Sequence, residues 1–177
     1  MRTINFLTMG ALALLVSTTI TSCTNEPSEA CASLEAASKQ LETNLEMYAT
    51  TWDEILNKGE LDLINESNFD KNITLVSSPE NIVGIEGFKA YYANYLTGFS
   101  NVNFTIVDAF GQGDKIVKHW NFKGTHTGDF FGIPATGNEV NVSGVTLVKM
   151  KEGKIAQEQD FMDNLEFMQQ LGLIPAE

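Results

Sequence analysis

Residues 101–127 read NVNFTIVDAFGQGDKIVKHWNFKGTHT, and the period of this stretch decides the fold. Apolar and polar residues alternate on both sides of Gly111-Gln112-Gly113-Asp114. Alternation with a period of two is the mark of a half-buried strand, and a glycine-rich tetrapeptide between two such runs marks a hairpin turn. Residues 103–110 and 115–127 are therefore predicted to be paired long strands. The pattern resumes at residues 139–150, turns at Lys151-Glu152-Gly153-Lys154, and continues through residues 155–162. Residues 128–138, rich in Gly and holding Pro134, read as a loop or irregular hairpin tip.

Upstream the period changes. Leu34, Leu41, Leu45, Tyr48, Trp52, Ile55 and Leu56 recur at helical steps, and Lys58-Gly59 closes that helix. Residues 60–66 read as a short second helix, 72–76 as a strand, 79–84 as a loop and 85–96 as a third helix. The third helix carries Phe88, Tyr91, Tyr92, Tyr95 and Leu96 on its buried side. Asp163 is placed to cap a terminal helix that runs to Gln170 and closes at Gly172. Helices gathered on one face of a meander give an α+β architecture: a strongly curved, mostly antiparallel sheet against three N-terminal helices, with a short C-terminal helix. Gly124 and Gly144, central in long strands, allow strong curling, and a curled sheet closed by helices encloses a conical hollow.

The ends set the address. Arg2, an apolar run over residues 6–16, and Ile20-Thr21-Ser22-Cys23 have the order of a secretory signal peptide. Cysteine directly after the small residues is the lipoprotein form, in which Cys23 takes lipid and tethers a bacterial membrane protein on the periplasmic or cell-surface side. Ordinary secretion with cleavage near Ser22 is the alternative. The division is thus a signal peptide over 1–22, a polar tether over 23–32 and one domain over 33–177. Lipid on Cys23 leaves Cys31 without a partner, so no disulfide framework is expected. No Cys/His spacing suggests a metal. Net charge is −12, becoming −13 when Arg2 is removed, which disfavours nucleic acid as a partner.

The strand and turn residues carry a resemblance. Gly124-Thr125-His126-Thr127-Gly128, Gly132-Ile133-Pro134-Ala135-Thr136-Gly137, Glu152-Gly153-Lys154-Ile155, then Asp160, Asp163 and Gln170-Leu171-Gly172 stand in the order seen in SnoaL-like polyketide cyclases and ester cyclases. These belong to the NTF2-like superfamily. The resemblance spans residues 45–175 and implies the NTF2-like cone, a homodimer through the outer sheet face, and chemistry without metal or cofactor. It implies an aldol-type ring closure, or a double-bond isomerisation, on a small hydrophobic carbonyl compound. Matched through Gly153-Lys154-Ile155, the family's proton-shuttling aspartate falls on Asp160. Where those cyclases carry a glutamine and a histidine, this chain has Gly144 and Thr146, and their pocket asparagine falls near Leu75. These departures imply a different substrate, or His119 and His126 taking over in the pocket from another strand, or no catalysis, the rival function then being a non-catalytic ligand-binding lipoprotein.

Several residues admit a plainer role. Asp160 is either a general acid/base or an exposed strand-end carboxylate. Glu158 shares its face by alternation: either it is a pocket acid close enough to Asp160 to raise one of the two carboxyls, or, the preferred expectation, it points to open water at the sheet edge. Trp120, Phe161, Met162 and Phe167 are expected as pocket walls, and Tyr92 as core with a cavity-facing ring. His126 is expected to tie its strand end to the following loop. His119 lies on the opposite face of that strand, unless a bulge at Gly124 reverses the parity.

Overall fold

The structure is a computed structural model and describes residues 28–175. The signal peptide, Cys23 and the tether up to residue 27 lie outside the described residues. Helix α1 (Glu29–Lys58) begins where Ser28 accepts from Cys31 N, so the last part of the expected tether is already helical. It ends at Gly59, whose φ of 77° is the left-handed conformation that favours glycine at a helix C-terminus. Only its second half is buried. Tyr48, Trp52 and Ile55 stand on one stripe and are fully enclosed.

The expected second helix is a correction: a single 3-10 turn, Leu61–Leu63, stands there. Asn65 and Asn68 side chains cap the backbone carbonyls of Asp62 and Leu63, so local polar bonding replaces helical continuation. Strand β1 (Phe69–Leu75) follows, then β2 (Ile82–Val83) inside the expected loop, and α2 (Ile85–Gly98). The meander comprises β3 (Phe99–Gln112), β4 (Lys115–His126), β5 (Glu139–Lys151) and β6 (Lys154–Met162). A last helix, α3 (Asn164–Gln170), is capped by Asp163, whose side chain accepts from Glu166 N.

The six strands form one sheet in the order β2-β1-β6-β5-β4-β3. All neighbours are antiparallel except β1 and β6, which run parallel. Sheet β3 against β4 slips by one residue between Ser100 and Asn103 and again between Ile106 and Asp108. Each extra residue lies on β3 and adds bend and twist there; β6 has further register shifts against β5, between Lys149 and Met150, and against β1, between Phe69 and Thr74. By contrast β4 and β5 pair without interruption from Lys115↔Lys149 to Thr125↔Glu139. Gly124 therefore makes no bulge between β4 and β5, and the parity along β4 is fixed.

That parity sorts β4 cleanly. Ile116, Lys118, Trp120, Phe122, Gly124 and His126 face inward, while Lys115, His119 and Lys123 are exposed. His119 is thus removed from the pocket. The concave inner face is closed by α1, α2 and α3, with Trp52, Phe69, Phe88 and Tyr92 in mutual ring contact at 4.5–6.2 Å. Tilted and edge-on pairs at such separations add to the stabilisation that burying the rings already gives.

Candidate active site

Three cross-strand rows on the inner face set out the site. Lys118 of β4 lies opposite Thr146 of β5, which lies opposite Asp160 of β6. One row toward the strand ends, Trp120 faces Gly144 and Gly144 faces Met162. In the other direction Ile116, Val148 and Glu158 form the third row, and Glu158 is also level with Leu75 of β1. Residues two apart along a strand share a face, so these rows stack into one patch of side chains beneath α1 and α2.

Asp160 borders a cavity of about 40 Å³ walled by Trp52, Tyr92, Phe104, Trp120, Phe167 and Lys118, among others. A water needs about 10–15 Å³ of such space, so the hollow takes only a few water-sized groups. The expected walls Trp120, Met162 and Phe167 are there. Phe161 is a correction: it points outward and is half exposed, as strict alternation with Asp160 requires. Gly144 explains the narrowness. A Cβ on it would stand 2.3 Å from Trp120 Cζ2, so the missing side chain is what lets the indole lie flat across β5.

The hydrogen bonds around Asp160 can be assigned donor by donor. Trp120 Nε1–H can only donate, and it does so to Thr146 Oγ1 at 2.9 Å. The Thr146 hydroxyl proton is therefore free to go to Asp160 Oδ1. Tyr92 OH stands 3.1 Å from Asp160 Oδ2 and 3.1 Å from Glu158 Oε2. Thr146, fully buried, is thus a positioning residue for the carboxyl rather than a wall of the cavity.

Glu158 overturns its expectation. It is fully enclosed, and Oε1 accepts from Tyr48 OH at 2.5 Å and from Trp52 Nε1 at 3.0 Å. Burial raises its carboxyl to about 7; Lys118 opposes this, Asp160 adds to it, and the tyrosine hydrogen bonds oppose it. A phenol has one proton and cannot donate to two carboxylates at once. With the Glu158 proton on Oε2, both contacts close: Glu158 donates to the Tyr92 oxygen and Tyr92 donates to Asp160. Burial, then the carboxyls, hold the Tyr92 hydroxyl well above the usual phenol range, so it remains a donor.

Lys118, two residues before Trp120 on the inward side of β4, is not among the residues expected at the pocket. It is 3% exposed, with Nζ 5.1, 4.9 and 5.3 Å from the ring centres of Tyr48, Trp52 and Phe104. Burial lowers its ammonium from the usual lysine value, and Glu158 and Asp160 push the other way. In both Lys118 and Glu158, loss of water outweighs mutual attraction.

His126 is enclosed but does not border the cavity. Thr136 N donates to its Nδ1 at 3.3 Å, and Thr136 Oγ1 lies 3.1 Å from the same atom. The imidazole thus ties the end of β4 to the following loop, as expected. Its Nε2 has no polar partner and sits among Phe99 and Phe130, with ring centres 5.2 and 6.2 Å away.

Comparison with known proteins agrees with this architecture. The profile of the SnoaL-like polyketide cyclases matches residues 46–171. Among solved structures, TsrD of Streptomyces laurentii is 25% identical with a TM-score of 0.65, the alignment covering 77% of this chain and 97% of that one. A Jannaschia protein classed as a SnoaL-like polyketide cyclase is 23% identical at a TM-score of 0.64, covering 76% and 94%. A Catenulispora acidiphila protein with a ketosteroid isomerase-like fold is 20% identical at a TM-score of 0.57, covering 70% and 90%. No curated protein sequence matches the chain.

Proposed function

The chain belongs to the SnoaL-like polyketide cyclase family, and from that premise we propose that it is a cofactor-independent enzyme acting on a hydrophobic carbonyl compound. Asp160 is its proton shuttle. One observation carries the reading: a carboxyl borders an apolar cavity with each oxygen held by a hydroxyl, from Thr146 and from Tyr92. Both contacts leave lone pairs on the carboxyl, so Asp160 can take a proton from carbon beside a carbonyl. The same proton is then delivered to the alkoxide of a closed ring, or to the far carbon in an isomerisation. The narrow cavity favours a substrate whose reacting end is small.

The test uses exchange rather than the unknown natural substrate. Acetone in deuterium oxide is expected to lose its methyl proton signals faster with the protein than with urea-unfolded chain. Asp160→Asn should cut the excess rate by about 10²-fold or more while the melting curve persists. A rate that Asp160→Asn leaves unchanged would remove the aspartate from the chemistry. A second reading, a non-catalytic binding module, is favoured by Gly144, Thr146 and Leu75 standing where the resemblance asks for three polar pocket residues. On that reading no excess exchange occurs with wild-type protein.

The export reading is part of the same proposal: lipid on Cys23 holds the domain at a bacterial membrane. Cys23→Ser is expected to move the product from the membrane fraction to the soluble one. An unchanged distribution would count against the anchor.

A further inference from the structure

Lys118 is the one charged side chain of the cavity to which the proton shuttle assigns nothing. Its Nζ has three N–H donors, and the aromatic faces of Tyr48, Trp52 and Phe104 hold it without accepting any of them in a hydrogen bond. Among the described residues it makes no hydrogen bond, and the three ion pairs there belong to Lys58, Lys89 and Lys151. A cation nine-tenths buried without a bonded counter-charge is costly unless something completes it. The cavity it borders is also the cavity of Asp160. Lys118, Thr146 and Asp160 occupy one cross-strand row, so the ammonium and the carboxyl approach the same small space from strands two apart, roughly 10 Å between Cα atoms.

We propose that Lys118 is the oxyanion-binding residue of the cavity. Its ligand class is a carbonyl compound that ionises at the adjacent carbon, and the oxygen that becomes the enolate is the atom that Lys118 takes. The proposal rests on the shuttle reading of Asp160 and deepens it. In the step, the C–H bond breaks and its proton goes to Asp160. The electron pair forms the C=C bond, the C=O π pair moves onto oxygen, and a Lys118 N–H donates to that oxygen. No other reagent enters. Three ring faces at about 5 Å favour the charged ammonium over the free amine, so the contact is ionic and hydrogen-bonded rather than a covalent imine. A developing negative oxygen also meets the cation more strongly than the neutral carbonyl does, which is the condition for lowering the barrier.

A preformed anion separates this proposal from the shuttle. Methyl nitronate, added already ionised, resembles a small enolate and needs no base. It is expected to bind the wild-type chain in calorimetry and to bind Asp160→Asn at least as well, because that change removes a like charge. Lys118→Met should weaken binding about tenfold or more, and Lys118→Arg should recover part of it. Met keeps the length and apolar contacts of the side chain, and melting curves check that both variants fold. Equal binding by wild type and Lys118→Met overturns the proposal, as does absence of binding to wild type, whatever the exchange experiment shows. Lys118-dependent binding without any acetone exchange would keep the anion site and refute the shuttle.

Discussion

Glu158→Ala is expected to cost the fold about 3–5 kcal/mol, and Glu158→Gln little or nothing in acid, where the wild-type carboxyl is protonated in both states. Alanine leaves Tyr48 OH and Trp52 Nε1 without their acceptor inside the core, and each stranded donor costs about 1–3 kcal/mol. It also takes away the carboxyl that faces buried Lys118 and opens a void beneath Tyr92. Glutamine keeps the arrangement: its carbonyl accepts from Tyr48 and Trp52, and its amide donates to the Tyr92 oxygen as the protonated acid does. Urea unfolding of the two variants beside the wild type separates an acceptor role from mere filling of space. Equal losses for Ala and Gln would mean that the charge itself is needed.

The same pair carries a pH signature whose sign is fixed. Glu158 is raised in the folded state from 4.5 to about 7, so the native state holds the proton more tightly than the unfolded chain. Below about 4.5 both states are protonated and the site contributes no difference. As pH rises through the interval to about 7, the unfolded chain ionises first and wild-type stability falls. Above about 7 the cost is complete, on the order of 3 kcal/mol for that displacement. Tyr48, Tyr92, Asp160 and Lys118 face the same carboxyl and are common to both proteins. Glu158→Gln stability minus wild-type stability is therefore expected to be flat in acid, climb between about pH 4.5 and 7, and level off. A difference that stays constant across that range would show that Glu158 is not held protonated.

Alternation put Asp160 and Glu158 on one face; applied strictly it also sets Phe161 against them, although Phe161 was expected as a wall, and the uninterrupted β4–β5 register is what fixes Trp120, Phe122, Gly124 and His126 on the inner side of β4. Carried two residues further back, the same rule reaches Lys118. It was passed over because lysine and glutamate are almost always solvated when they stand on a strand. The reasons that they are not solvated here are remote in sequence. Tyr48 and Trp52 lie on α1, more than a hundred residues before Glu158, and no local pattern announces such a donor. The missing second helix has a local cause instead, in asparagine side chains that compete for the backbone. Gly144 was legible as a point where its strand can curl and as a gap in the family's polar set. The structure gives it a positive reason, since Trp120 occupies the space that a side chain would need.

Under the proposed function that reason makes Trp120 the expected limit on ligand size, and Trp120→Ala the last large effect. The indole is 7% exposed, packs near Phe104 at 6.3 Å and donates to Thr146. Its removal is expected to cost about 3–5 kcal/mol, the range for truncating a buried aromatic residue. Thr146 keeps its own proton, so its bond to Asp160 survives and the shuttle remains assembled. Space, however, opens beside that carboxyl over bare Gly144, where no side chain can fill it. Across ketones of increasing bulk, wild-type exchange is therefore expected to fall after the smallest, because the cavity takes only a few water-sized groups. Trp120→Ala should exchange the bulkier ketones faster than wild type despite its lower stability. If bulk slows both proteins alike, the limit on substrate size lies elsewhere in the wall, and Trp120 serves the fold alone.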